Sequence, residues 1–85
     1  PQDTFDTLGE KHHIWYKTYF NAGKFLRMGT CPDVSGESLI IAHGTREELE
    51  EAVQFDSYYA NQLATYEIRK YKVDLFNEAI KNYID

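Results

Sequence analysis

The feature that most constrains this chain is an amphipathic stretch over residues 7–23, closed at both ends. Thr7 and Glu10 form a Thr-x-x-Glu capping box, in which each side chain satisfies the other residue's free backbone N–H. Leu8, His12, Trp15, Tyr16, Tyr19 and Phe20 follow at helical spacing, with Lys11, Lys17, Thr18 and Asn21 on or near the opposite side. Gly23 suits the left-handed residue that ends a helix. A helix with one apolar stripe must bury that stripe against another element. One member of the stripe is a misfit: His12 lies where an apolar side chain is expected. Residues 1–6 are polar and read as a lead-in to this helix.

The partners for the stripe come next. Residues 24–29 alternate as a strand, with Phe25 and Arg27 on one side and Leu26 and Met28 on the other. Residues 31–36 have loop composition. Residues 38–43 are nearly continuous in apolar character, as in a strand covered on both faces, and the two strands read as an antiparallel hairpin. Thr45 and Glu48 form a second capping box. The helix it opens turns Leu49, Ala52 and Val53 inward, leaves Glu47, Glu48, Glu50 and Glu51 mostly in water, and ends near Phe55. Asp56 caps one further helical turn, up to about Leu63. Residues 66–73 have strand composition, with a change of phase near Arg69 and Lys70 that a bulge would explain. Asp74 can cap a last helix over 74–84, with Leu75, Phe76, Ala79, Ile80, Tyr83 and Ile84 on one side.

The predicted order is helix, strand, strand, helix, short helix, strand, helix. One more strand ahead of Thr7 makes it β-α-β-β-α-β, a ferredoxin-like α+β antiparallel sheet with an added C-terminal helix. The first strand, an inner one in that arrangement, is expected to be missing from this chain or supplied in some other way. Eighty-five residues make a single domain over 1–85, with a core over 1–72 and the last helix outside it. A chain this short has a marginal core, and the uncovered face of such a sheet predicts a homodimer. Seven Tyr and five Phe supply amphipathic rings for a core or an interface.

Charge and composition exclude several classes. A net charge of −5 repels phosphate backbones, so nucleic acid is not an expected partner. One Cys permits no internal disulfide, which fits a reducing compartment and a cytoplasmic location. No signal peptide and no apolar run long enough to cross a membrane is present, so no membrane partner is expected. The chain opens on Pro1 without an initiator Met, as a processed chain or a fragment would.

Candidate chemistry centres on His12. An imidazole on a core-facing stripe needs a hydrogen-bond partner, because an unpaired buried polar group costs about 1–3 kcal/mol. Asp56 is the candidate: it would orient the ring, fix its tautomer and raise its basicity. The structural alternatives are a His–Asp bond without chemistry, or a His that simply packs. His13, about 100° around the helix from His12, cannot chelate a metal with it and is expected in solvent. His43 is expected to make a hydrogen bond at its turn. Cys31 has neither a cationic neighbour nor a helix N-terminus in view and reads as inert. Tyr58 and Tyr59 could line a pocket mouth, and Arg27 could hold an anionic substrate in its fork of donors. No cluster has metal-ligand spacing and no Gly-rich loop cradles a phosphate, so no metal and no cofactor is expected.

The run His12-x7-Phe20-Asn-Ala-Gly23-Lys-Phe-x3-Gly29 resembles the first-helix and following-strand signature of the YCII-related (YciI-like) proteins. The run Asp56-Ser-Tyr-Tyr-x3-Leu63-Ala-Thr-Tyr66-Glu67-Ile68 resembles their Asp-Pro-[Phe/Tyr] segment, which leads into the last strand. The likeness covers roughly residues 1–72. It implies a ferredoxin-like fold that pairs two sheets into a dimeric α+β barrel, with the family's His at His12 and its Asp at Asp56 as an active-site pair. One branch of that family removes chloride from chlorinated hydroxyquinols, and distant relatives of the fold are muconolactone isomerases. The chain departs from the pattern in four places: Asp-Pro is Asp56-Ser57, Gly-Pro after the strand is Gly29-Thr30, a usual Gly in the short helix is Gln62, and the first strand of the pattern has no counterpart.

Two functions follow. In one, the protein is a small dimeric enzyme in which His12, held by Asp56, moves a proton on a small cyclic acid or phenolic compound, leading to elimination or isomerisation. In the other, it is a non-catalytic module that binds a small ligand or serves assembly. A third, an RNA-binding sheet, is opposed by the acidic charge and the lack of an aromatic Lys-Gly-Phe-Gly-Phe signature.

Overall fold

The computed structural model describes residues 2–83. Its elements are α1 (Gln2–Asn21), β1 (Phe25–Thr30), β2 (Ser38–Ala42), α2 (Arg46–Gln54), α3 (Ser57–Ala60) and a 3-10 helix over Glu78–Tyr83. Helices packed on a two-stranded antiparallel sheet make this a small α+β fold.

The first helix is longer than the Thr7 capping box predicts. It begins at Gln2, so the polar lead-in is helical. The added turn brings the Phe5 ring to 6.0 Å from that of Tyr58 on α3. The C-terminal prediction holds. Lys24 N–H reaches the Tyr19 carbonyl at 2.9 Å and Gly23 N–H the Phe20 carbonyl at 3.0 Å, with Gly23 at φ +79°. That pair of bonds is a Schellman motif, and its left-handed residue favours glycine.

The hairpin pairs Phe25 with Ala42, then skips one residue and pairs Arg27 with Ile41 and Met28 with Ile40. Leu26 is therefore an extra residue, and the phase of the strand changes there. Phe25, Met28, Ile40 and Ala42 share one face, whereas Arg27 shares the other with Ile41. This corrects the simple alternation that put Phe25 and Arg27 together. The irregularity falls in β1, not near Arg69 and Lys70.

Trp15, Phe25 and Ala52 are the buried apolar residues among those described. The Trp15 ring meets Phe25 edge-on at 5.2 Å, and its indole N–H donates to the Ala52 carbonyl at 2.8 Å. One side chain thus ties α1 to both the hairpin and α2. The second capping box forms as predicted: Glu48 N–H donates to Thr45 Oγ1 at 3.1 Å and Thr45 N–H to Glu48 Oε1 at 3.3 Å. The Thr45 backbone N–H, then the Lys24 ammonium 3.3 Å away and the Thr45 hydroxyl, hold the Glu48 carboxyl below its ordinary value.

The chain after α3 differs from prediction. The short helix stops at Ala60 rather than near Leu63. It closes with a second Schellman motif, in which Leu63 N–H reaches the Tyr58 carbonyl at 2.7 Å and Gln62 N–H the Tyr59 carbonyl at 3.1 Å. Gln62 takes the left-handed position at φ +61°. Residues 66–73 form no strand, because strand composition yields a strand only where a neighbour supplies the ladder, and no described segment does so. The last helix is reduced to the 3-10 turns of Glu78–Tyr83, with Leu75 and Phe76 outside them and exposed. Ile84, placed in that helix by its spacing, lies outside the described residues.

Candidate active site

His12 projects from the middle of α1 toward the junction between α2 and α3, where Asp56 is the N-cap of α3. The Asp56 backbone is extended, at φ −73° and ψ 124°, as a cap requires. Its side chain is fully buried. The packing that drives it inward is local. Ser57, also buried, donates through Oγ to the Leu8 carbonyl at 2.6 Å and locks α3 onto α1 one turn ahead of His12.

Three donors converge on the carboxylate. His12 Nδ1–H donates to Oδ1 at 2.5 Å, and Tyr58 N–H donates to the same oxygen at 3.1 Å. The Tyr66 hydroxyl donates to Oδ2 at 2.6 Å. An ionised carboxylate only accepts, so Nδ1 must carry the ring proton. In the neutral imidazole that leaves Nε2 as the bare nitrogen. Asp56 thus repeats on one side chain the roles of helix cap and histidine orienter. Among the described residues no buried side-chain nitrogen or oxygen lacks a partner.

The imidazole is held flat. Tyr58 stacks on it with centroids 4.2 Å apart and planes 8° off parallel, and Trp15 lies 5.7 Å away. Tyr16 meets it edge-on at 5.5 Å. The histidine side chain nonetheless keeps 25% of its exposure. A ring with one nitrogen anchored and part of its surface open can exchange a proton with a bound molecule. Gly9 makes room for this arrangement, since a Cβ there would lie 3.1 Å from the Tyr58 hydroxyl oxygen.

The sequence-predicted residues do not all gather here. His12, Asp56 and Tyr58 meet. Tyr59 lies one step out, its ring 6.0 Å from Tyr66. Arg27 is elsewhere, on the far face of the hairpin, where it borders an open depression with Gly29, Cys31, Leu39 and Ile41. A second depression, of about 210 Å³, lies between Tyr19, Lys24, His43 and α2. Neither borders His12. His13 is exposed and bonds to the Tyr16 hydroxyl, and His43 donates its backbone N–H to the Lys24 carbonyl at 2.8 Å.

Tyr66 is the residue that sequence reasoning missed. Its strand-like surroundings draw attention to its β-propensity, not to its hydroxyl. The available signal is a matter of valence: a buried carboxylate with two oxygens needs more than one donor, and Tyr66 follows the helix that Asp56 caps. Burial first, and then the hydrogen bond and charge of Asp56, raise the Tyr66 pKa well above its ordinary value. The phenol is therefore a donor throughout the physiological range.

Among the described residues no group of three or more His, Cys, Asp or Glu side chains is placed to hold a metal ion, and no helix is long and apolar enough to cross a membrane. No protein-family model, curated protein or solved structure matches the chain.

Proposed function

We propose that this chain is a YciI-like protein of ferredoxin-like design that works as a homodimer and uses His12 as a general base or acid on a small cyclic or phenolic compound. The observation that carries the reading is the 2.5 Å bond between His12 Nδ1 and the buried Asp56, which leaves Nε2 as the free nitrogen of a part-exposed ring. Nε2 takes a proton from a carbon or hydroxyl of the substrate, Asp56 stabilises the imidazolium, and return of the proton at a second position completes an isomerisation. Loss of a leaving group such as chloride completes an elimination instead.

Two further observations support the family reading. The position where the family pattern has glycine is Gln62, and its backbone is left-handed, as a glycine position would be. The area favours a dimer. The chain exposes 7496 Å². A folded 10.0 kDa monomer exposes about 5200 Å². The excess, about 2300 Å², is on the scale that one subunit of an obligate dimer buries. Exposed Leu26, Leu39, Val73, Leu75 and Phe76 contribute to it.

The non-catalytic alternative has one observation in its favour: neither of the two depressions borders His12. Turnover separates the two readings. The wild-type chain is incubated with chlorinated hydroxyquinols and with unsaturated lactones, and chloride release and ultraviolet spectra are followed. The enzyme reading expects turnover that His12→Ala abolishes while the circular dichroism spectrum is kept. Equal rates in wild type and His12→Ala contradict it, and saturable binding without turnover supports the binding module.

A further inference from the structure

A carboxylate on a short side chain turns easily about its last bond, because that torsion is broad and roughly two-fold. What fixes the Asp56 plane is the set of donors on its oxygens. The Tyr58 N–H and the His12 ring share Oδ1, and among the described residues the side chain on Oδ2 is Tyr66. Tyr66 does not belong to the helical frame that carries the others. It lies in the irregular segment after α3, its ring resting 6.1 Å from Trp15 and 6.0 Å from Tyr59. Two residues on, the same segment is held a second time: Arg46, at the start of α2, donates from Nη2 to the Ile68 carbonyl at 2.7 Å.

We propose that Tyr66 is a positioning residue of the His12 site, and that docking of residues 66–68, latched by Arg46, assembles that site. The role rests on His12 being the reacting group, but its test does not need a substrate. With the Tyr66 hydroxyl on Oδ2, the other oxygen is presented to Nδ1–H and the ring is kept in the tautomer with Nε2 bare. Without it, the carboxylate turns toward whatever donor it finds, and the ring relaxes toward the Nε2–H tautomer that imidazoles prefer in water. The catalytic consequence is loss of the free lone pair at Nε2. The site is therefore coupled to a segment with no ladder of its own, and any ligand or partner that lifts residues 66–68 disables the base without touching it.

The segment's neighbours make the coupling specific. Tyr66→Phe keeps the ring contacts with Trp15 and Tyr59 and removes only the donor. Arg46→Met keeps the aliphatic stem and removes the latch together with the exposed Arg46–Glu50 pair at 3.4 Å, on an element that does not carry the histidine. Long-range ¹H–¹⁵N spectra of the His12 ring at pH 8 read the tautomer in both. The expected result is a ring predominantly Nδ1–H in the wild type, an Nε2–H fraction several-fold larger in Tyr66→Phe, and a smaller shift the same way in Arg46→Met. Far-UV circular dichroism stays unchanged in both. A folded Tyr66→Phe with the wild-type tautomer overturns the proposal, as does an unchanged Arg46→Met should Tyr66→Phe not fold. Failure of the enzyme reading is distinct: it shows as equal turnover in wild type and His12→Ala, whatever the tautomer.

Discussion

Asp56→Ala removes the acceptor on which three donors meet, and its cost can be worked from the contacts. Loss of the N-cap bond to Tyr58 N–H costs about 0.5–2 kcal/mol. The His12 Nδ1–H and Tyr66 O–H are then left without the partner they were folded around, at about 1–3 kcal/mol each. Relief of burying the Asp56 charge offsets part of this. The net expectation is a loss of about 3–5 kcal/mol, a large share of the roughly 5–15 kcal/mol that holds a small domain together. Asp56→Asn keeps one acceptor oxygen and the side-chain volume, so it should lose less, about 1–3 kcal/mol. Urea unfolding followed by the fluorescence of the single Trp reads both, because Trp15 is 5% exposed and reports the core directly. A loss below about 1 kcal/mol in Asp56→Ala, or equal losses in the two variants, would refute the reasoning that Asp56 is the hub of this site.

Gln62→Gly should raise stability by about 0.5–1 kcal/mol, since it relieves a side chain held at φ +61° in a Schellman cap; no change in the urea midpoint would contradict that reading. Thr45→Ala should lower stability by about 1 kcal/mol through loss of the α2 capping box, measured by the same unfolding curve. The Tyr66 phenol binds its proton more tightly in the folded chain than at its ordinary value of 10.0, so its contribution is complete below pH 10 and is lost as pH rises beyond it. The wild type should therefore lose stability as pH rises above 10 more steeply than Tyr66→Phe, and parallel curves in denaturant would count against it.

The elements that were legible are those specified by short-range chemistry. The Thr45–Glu48 box marks the start of α2, the six-residue stripe describes α1, and Gly23 and Asp56 mark helix ends, whereas the Thr7–Glu10 box misplaces the start of α1, which lies at Gln2. The lack of a strand at 66–73 was not legible, because a strand is a property of a pair and strand composition says nothing about whether a neighbour is at hand. The extra residue at Leu26 was equally hidden: alternation in one strand cannot reveal which partner residue it faces, and one insertion moves Arg27 to the other side of the sheet. The His12–Asp56 pair could be guessed because a polar residue on an apolar stripe demands a partner. Tyr66 could not be guessed from periodicity, since its part is played by an oxygen at the tip of a ring whose body fits a strand equally well.

The tautomer of the wild-type His12 ring, read from its ¹⁵N shifts at neutral to mildly alkaline pH, tests the central claim most directly. The account predicts a protonated Nδ1 and a bare Nε2, the arrangement that the buried Asp56 imposes. A ring that carries its proton on Nε2 would contradict it, because Asp56 would then not be the group that holds the histidine.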